Sequence, residues 1–133
     1  GTDGPASNNC LDMFREMFLT TALAKVREND AACVPAEEVL YMATTEGARC
    51  MGLSDCGRLA VGKKADLIMI DLCQPNMQPE NNILKNIVYS GSKQNVAMTM
   101  VNGRILYERG VFDIGFDPKE VYAKANAVIR RMK

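Results

Sequence analysis

The dipeptide Asn102-Gly103 stands between two apolar runs, Val96 to Val101 and Arg104 to Tyr107. Both central residues of a type I′ turn need positive φ, and Asn-Gly supplies this at low cost. The pair therefore commits this part of the chain to an antiparallel hairpin. A further strand signal lies upstream. The run Leu67 to Leu72 is short, apolar and rich in Ile and Leu, which reads as a buried strand. Gly57 and Gly62 mark turns before it, and Pro75 and Pro79 mark a loop after it.

Helices flank this region. Asn9 to about Glu28 reads as a helix, with Leu11, Phe14, Phe18, Ala22 and Val26 near helical spacing and Met13 and Met17 widening the apolar side. Ser7, Asn8 or Asn9 can cap its start, Asp12 falls in its first turn, and Asn29-Asp30 ends it. The burial ranking of Met and Phe assigns the stripe to the core. Pro35 opens a second helix, with Glu37 and Glu38 in its first turn and Val39, Leu40 and Ala43 on one face. Thr44-Thr45 predicts a break or kink, and Glu46 to Met51 another short helix ended near Gly52. Asn82 to Tyr89 predicts one or two helical turns. Asp117-Pro118-Lys119-Glu120 combines a cap, a proline at the first helical position and an acid at the third, predicting a last helix. Its apolar face is Val121, Tyr122, Ala125, Val128, Ile129 and Met132, and Arg130, Arg131 and Lys133 sit at the negative end of its dipole. Helices first, then strands, then a final helix make a segregated α+β arrangement.

The 133 residues fit one ordinary domain, and 47% hydrophobic content supports a core without staples. Lysine plus arginine number 16 and aspartate plus glutamate 16, so bulk charge favours neither nucleic acid nor an anionic membrane. The chain has no Trp and only 6% aromatic residues, which argues against base-stacking platforms. No signal peptide is visible, and no apolar run approaches the ~18 residues of a membrane span. Cys10, Cys33, Cys50, Cys56 and Cys73 are odd in number and never spaced Cys-x-x-Cys. They read as free thiols in a reducing, cytoplasmic setting. Histidine is absent altogether. That excludes imidazole acid–base chemistry, Ser-His and Cys-His pairs and any His-containing metal site within these residues.

Three motifs remain. Gly57-x-x-x-x-Gly62-Lys63-Lys64 nearly matches a phosphate-binding loop, but Lys64 stands where the magnesium-binding hydroxyl belongs, and a strand follows instead of a helix. Two glycine turns leading into a strand, with the lysines in solvent, account for it. The cysteine gaps do not provide zinc-type pairs. The third motif is the opening stretch, Gly1-Thr-Asp-Gly-Pro-Ala-Ser-Asn-Asn-Cys-Leu-Asp-Met-Phe14. Asp3, between glycines, reads locally as a turn residue. It also suits the C-terminal end of a strand in a (β/α)8 barrel, where such enzymes gather their active sites.

The opening stretch, the run Glu38-Val-Leu-Tyr-Met-Ala-Thr-Thr-Glu-Gly-Ala-Arg-Cys-Met-Gly-Leu53, the segment Gly57 to Leu72 and the hairpin around Val101-Asn-Gly-Arg104 occur in an order that covers nearly the whole chain. Together they resemble the C-terminal portion of the metal-dependent amidohydrolases. The resemblance is to the aminohydrolase and chlorohydrolase subgroup that includes methylthioadenosine/S-adenosylhomocysteine deaminases. It implies an α+β piece: residues 1–54 as the end of the barrel, 55–112 as the C-terminal strands of a small composite β-sandwich, and 113–133 as a terminal helix. It implies that Asp3 is the acid that binds or approaches a catalytic divalent metal, zinc or iron, and helps shuttle a proton. Ser7, Asn8 and Asn9 match the loop beside it, with a supporting and capping role, and Asp66 matches a structural turn residue. The activity implied is hydrolysis of a C–N bond in a purine-like or related heterocycle. In the family the other ligands are histidines on earlier barrel strands, which this sequence lacks. The resemblance therefore implies a segment that is inactive alone, holds no metal by itself and has the rest of the barrel as its partner. Surfaces left open by the missing strands would self-associate or find other cover. A non-catalytic α+β assembly or binding module is the alternative reading.

Overall fold

The computed structural model describes residues 1–132. Lys133, expected with Arg130 and Arg131 at the end of the last helix, lies outside the described residues. The first helix, α1 (Met13–Glu28), starts later than its periodicity suggested. Leu11 takes φ 44°, a left-handed conformation that no helix continues through. Asp12, not Ser7, Asn8 or Asn9, is the N-cap: its Oδ1 accepts the Phe14 N–H at 3.0 Å. At the other end Asn29 closes the helix in the left-handed conformation, its N–H bonded to carbonyls of the last turn.

The apolar stripe of α1 is only partly core. Phe14, Met17 and Thr21 are buried, whereas Leu11, Met13, Phe18 and Val26 are exposed, Val26 to 81%. The buried line follows the side of α1 that meets α2 (Ala36–Tyr41) and α4 (Ile83–Tyr89). Val39 of α2 and Val88 of α4 close on Phe14 and Met17, and Ile70 and Val96 pack against the same cluster from the strands. Each such side chain contributes roughly 1.5–3 kcal/mol on full burial.

The expected break at Thr44-Thr45 is a widened π turn, Met42–Glu46, that carries α2 into α3 (Gly47–Cys50) without interruption. Thr44 Oγ1 donates to the Leu40 carbonyl at 2.7 Å and Thr45 Oγ1 to the Gly57 carbonyl at 3.0 Å. Hydroxyls that bond back to the preceding turn are a known source of such distortions. Gly52, at φ 72°, ends the path as expected.

Four strands form one antiparallel sheet in sequence order: β1 (Leu67–Ile70), β2 (Val96–Val101), β3 (Arg104–Glu108) and β4 (Val111–Phe112). Asn102 and Gly103 both have positive φ, 50° and 80°, as the type I′ turn requires. Asp66, expected as a turn residue, grips the neighbouring turn: its Oδ1 accepts the Asn102 N–H at 2.6 Å, and the Ala65 carbonyl accepts the Gly103 N–H at 3.0 Å. The short strand β4 had no separate signal in the sequence, and Phe112 rests 4.9 Å from the Tyr107 ring. Asn82 caps α4. The last helix, α5 (Pro118–Met132), begins where Asp117 accepts the Lys119 N–H, and it buries none of its described side chains.

Candidate functional site

Asp3 sits on the exposed opening loop with φ 57°, a conformation that Asp tolerates better than most residues. The loop turns tightly after it. The Gly4 carbonyl accepts both the Ser7 N–H, at 3.0 Å, and the Asn8 N–H, at 2.9 Å. Of the three residues expected beside Asp3, Asn8 makes side-chain hydrogen bonds within the loop and to α1. Its Oδ1 accepts the Cys10 N–H at 3.1 Å, and its Nδ2 donates to Glu16 Oε1 at 2.5 Å. Ser7 contributes its backbone N–H, and Asn9 is exposed.

Three residues that the sequence reading did not single out for the site belong to this loop's frame. Asp12 is buried, only 7% exposed, and its Oδ2 accepts the Lys93 N–H at 3.3 Å. Lys93 Nζ donates in return to the Cys10 carbonyl at 3.0 Å. Glu16 holds Asn8 from the first turn of α1. The cap preference could have found Asp12 had it been applied next to the buried Phe14. Nothing local announces Lys93, whose partners lie more than 80 residues away.

A tetrahedral zinc site takes four ligands. Among the described residues, no group of three or more His, Cys, Asp or Glu side chains is gathered to hold a metal. Asp3 offers one carboxylate, and the residues of this chain do not by themselves fit such a site. All five cysteines are free, and Cys50 and Cys73 are exposed.

The glycine-lysine loop is occupied by structure. Gly57 and Gly62 take φ 84° and 81°, Lys64 pairs with Asp55 at 3.0 Å, Lys63 donates to the Ser54 carbonyl, and β1 follows. Lys64 is thus not simply in solvent. With no helix beginning there, the backbone donors of a phosphate cradle are missing. A hollow of about 470 Å³ lies at the β1–β2 end, lined by Ile70, Asp71, Asn95, Ala97 and Arg109. The Asp71 carboxyl is held below the usual carboxylate range by Gln74 and the Cys73 N–H, so its oxygens already have donors. No described helix is long and apolar enough to cross a membrane.

The sequence pattern of the Amidohydrolase family matches residues 1–106. The chain is 46% identical over 109 residues to 5-methylthioadenosine/S-adenosylhomocysteine deaminase of Dictyoglomus thermophilum, covering 82% of this chain and 26% of that one. It is 44% identical over 133 residues to the enzyme of the same name from Moorella thermoacetica, covering 99% of this chain and 30% of that one. Among solved structures it is similar to an adenosine deaminase from Xanthomonas campestris with bound zinc. That match has a TM-score of 0.92 and 37% identity, and covers 98% of this chain and 30% of the other. The chain thus spans under a third of the length of the curated relatives it matches.

Proposed function

The chain belongs to the amidohydrolase family, and from that premise we propose that it forms part of a metal-dependent hydrolase acting on C–N bonds other than peptide bonds. The reaction we infer is deamination of a purine-like or related heterocyclic small molecule. One observation carries the reading. A family match over residues 1–106 coincides with a superposition of 98% of the chain on a zinc-bound adenosine deaminase. Relatives at 44–46% identity that bear a deaminase name support the same reaction.

In this reading residues 1–54 close a (β/α)8 barrel, 55–112 supply the C-terminal strands of a small sandwich, and 113–133 form a terminal helix. Asp3 would offer its carboxylate to a divalent ion, zinc by the analogy of the Xanthomonas structure. Histidines outside these residues would supply the remaining ligands, so the 133 residues alone are inactive. What this chain does itself is fold the loop that carries Asp3. Asn8 fixes the loop through two side-chain hydrogen bonds, and the Ser7 N–H joins it at the Gly4 carbonyl; Asn9 would support it from the same stretch. Asp3 on that loop would accept or return a proton, a role worth roughly 10²–10⁴-fold in such reactions.

The test is a chimera in which this chain replaces the matched 30% of the Moorella relative. Ammonia release from methylthioadenosine, S-adenosylhomocysteine and adenosine is then measured. We expect release from at least one, and Asp3→Asn should lower kcat by on the order of 10²–10⁴ with the fold retained. A folded, zinc-loaded chimera that releases no ammonia from any of the three would sink the reading.

A further inference from the structure

We propose that Asp12, Glu16 and Lys93 are positioning residues that lock the Asp3 loop onto the turn entering β2, so that the sheet as well as α1 sets where Asp3 points. The inference builds on the reading of Asp3 above. A buried carboxylate persists only if its oxygens are satisfied. Asp12 meets that condition with two bonds of different kinds. The first, from the Phe14 N–H to Oδ1, is a helix cap that a serine would also provide. The second, from the Lys93 N–H to Oδ2, does not cap α1: it ties α1 to the start of a turn 81 residues away.

That turn is itself firmly seated. Ser92 caps the short 3₁₀ turn Lys93–Asn95, and Asn95 is buried, only 2% exposed, with Oδ1 accepting from the Ser92 N–H and from Asn76 Nδ2. The Asn95 carbonyl accepts the Asp71 N–H at 2.7 Å, at the end of β1. Lys93 therefore has a place fixed by the sheet, and its Nζ reaches back to the Cys10 carbonyl in the loop. From the other side Glu16 holds the Asn8 amide, whose Oδ1 holds the Cys10 N–H. Asn8 in turn shares the Gly4 carbonyl with Ser7, one residue from Asp3. Asn8, Asp12 and Glu16 follow one another at intervals of four in the sequence. Two clamps thus converge on Cys10 and pass through Asn8 to the residue beside Asp3. A helix that needed only a cap would need neither clamp. An enzyme would need both, since a misplacement of about 1 Å can cost ~10²-fold in rate.

The test reads the loop directly, by amide hydrogen exchange of the full 133-residue chain. Glu16→Ala should speed exchange of the Ser7, Asn8 and Cys10 amides about five- to tenfold, the loss of one hydrogen bond. Glu16→Gln, which keeps an acceptor oxygen, should restore them. Asp12→Ser, which keeps the cap, should speed the Lys93 and Cys10 amides by a similar factor. Amides of α2 and α4 should stay within about twofold in all three variants. The proposal is overturned if the loop amides are unmoved by both Glu16→Ala and Asp12→Ser, if α2 and α4 accelerate equally, or if Glu16→Gln is no better than Glu16→Ala. The readout uses neither metal nor substrate. A chimera that fails to release ammonia would therefore defeat the hydrolase reading without changing this result.

Discussion

Cys56 lies between two carboxylates. Its thiol is pushed up to about 11, first by its hydrogen bond to Asp66, then by burial and by Asp55, whose Oδ1 is 3.6 Å from Sγ. The thiolate is the reactive form, so Cys56 should label with iodoacetamide at pH 8 on the order of a hundredfold more slowly than the exposed Cys73. Peptide-resolved mass spectrometry gives both rates, and equal rates would contradict the account. Because the folded pKa is raised, the stability this thiol contributes is complete below the ordinary thiol value near ~8.5 and is lost as pH rises toward about 11. Asp66 behaves oppositely. The Asn102 N–H and then the Cys56 thiol hold its carboxyl below the usual range. Its contribution is present above about pH 4 and is lost as pH falls through its lowered value, so Asp66→Asn should flatten the acid limb of a stability–pH curve. At Gly57 an added Cβ would stand 2.8 Å from the Ala48 Cβ and 3.1 Å from the Thr45 Cα, at a φ of 84°. Gly57→Ala should cost about 2 kcal/mol, read as a lowered urea midpoint. The sequence marked this glycine as a turn. It could not show that the turn sits against the π turn, because that contact is tertiary.

Elements with strong local chemistry were legible in the sequence. Asn102-Gly103 fixed the hairpin, Asn82 and Asp117 announced their helices, and Val39 fell on the buried face of α2. Elements decided by tertiary contact were not. α1 begins at Met13 because Leu11 is turned aside, and its buried line follows the neighbours it meets rather than the centre of its apolar stripe. Thr21 illustrates the difference. It is fully buried, and its hydroxyl donates to the Val34 carbonyl at 2.7 Å. Val34 has φ 48°, which for a β-branched residue costs on the order of 1–3 kcal/mol. The bond from α1 holds that strained link to α2. Thr21→Val keeps the shape and removes the donor. It should lower stability by about 1–3 kcal/mol in thermal unfolding, and an unchanged Tm would mean the link is held by something else. For the candidate site, Asp3 and Asn8 could be picked out through family resemblance. Asp12 and Lys93 needed the fold, since one is a cap displaced from its expected place and the other belongs to a distant turn.

The molecule as a whole exposes more surface than its size warrants. Its accessible area is 9673 Å², against about 6,900 Å² for a compact monomer of 14.6 kDa. The excess, about 2,800 Å² on one chain, is at least one partner's share of a permanent interface, which buries about 2,000–5,000 Å² over both partners. Its location is consistent with that. Ile68 and Met69 are neighbours in β1 that point to opposite faces of the sheet, and both are exposed. Leu23 and Val26 of α1 are open, and the described apolar side chains of α5, from Val121 to Met132, are exposed. The 133 residues alone should therefore self-associate at micromolar concentration in sedimentation velocity, whereas a monodisperse monomer would contradict this. Partnered with a barrel, the same surfaces would be covered. If Asp3 binds metal only together with ligands outside these residues, metal content will show it. The purified chain should carry no stoichiometric zinc, and the chimera with the Moorella barrel should carry about one zinc per chain, weakened by Asp3→Asn. One tightly bound zinc in the 133-residue chain alone would contradict the account.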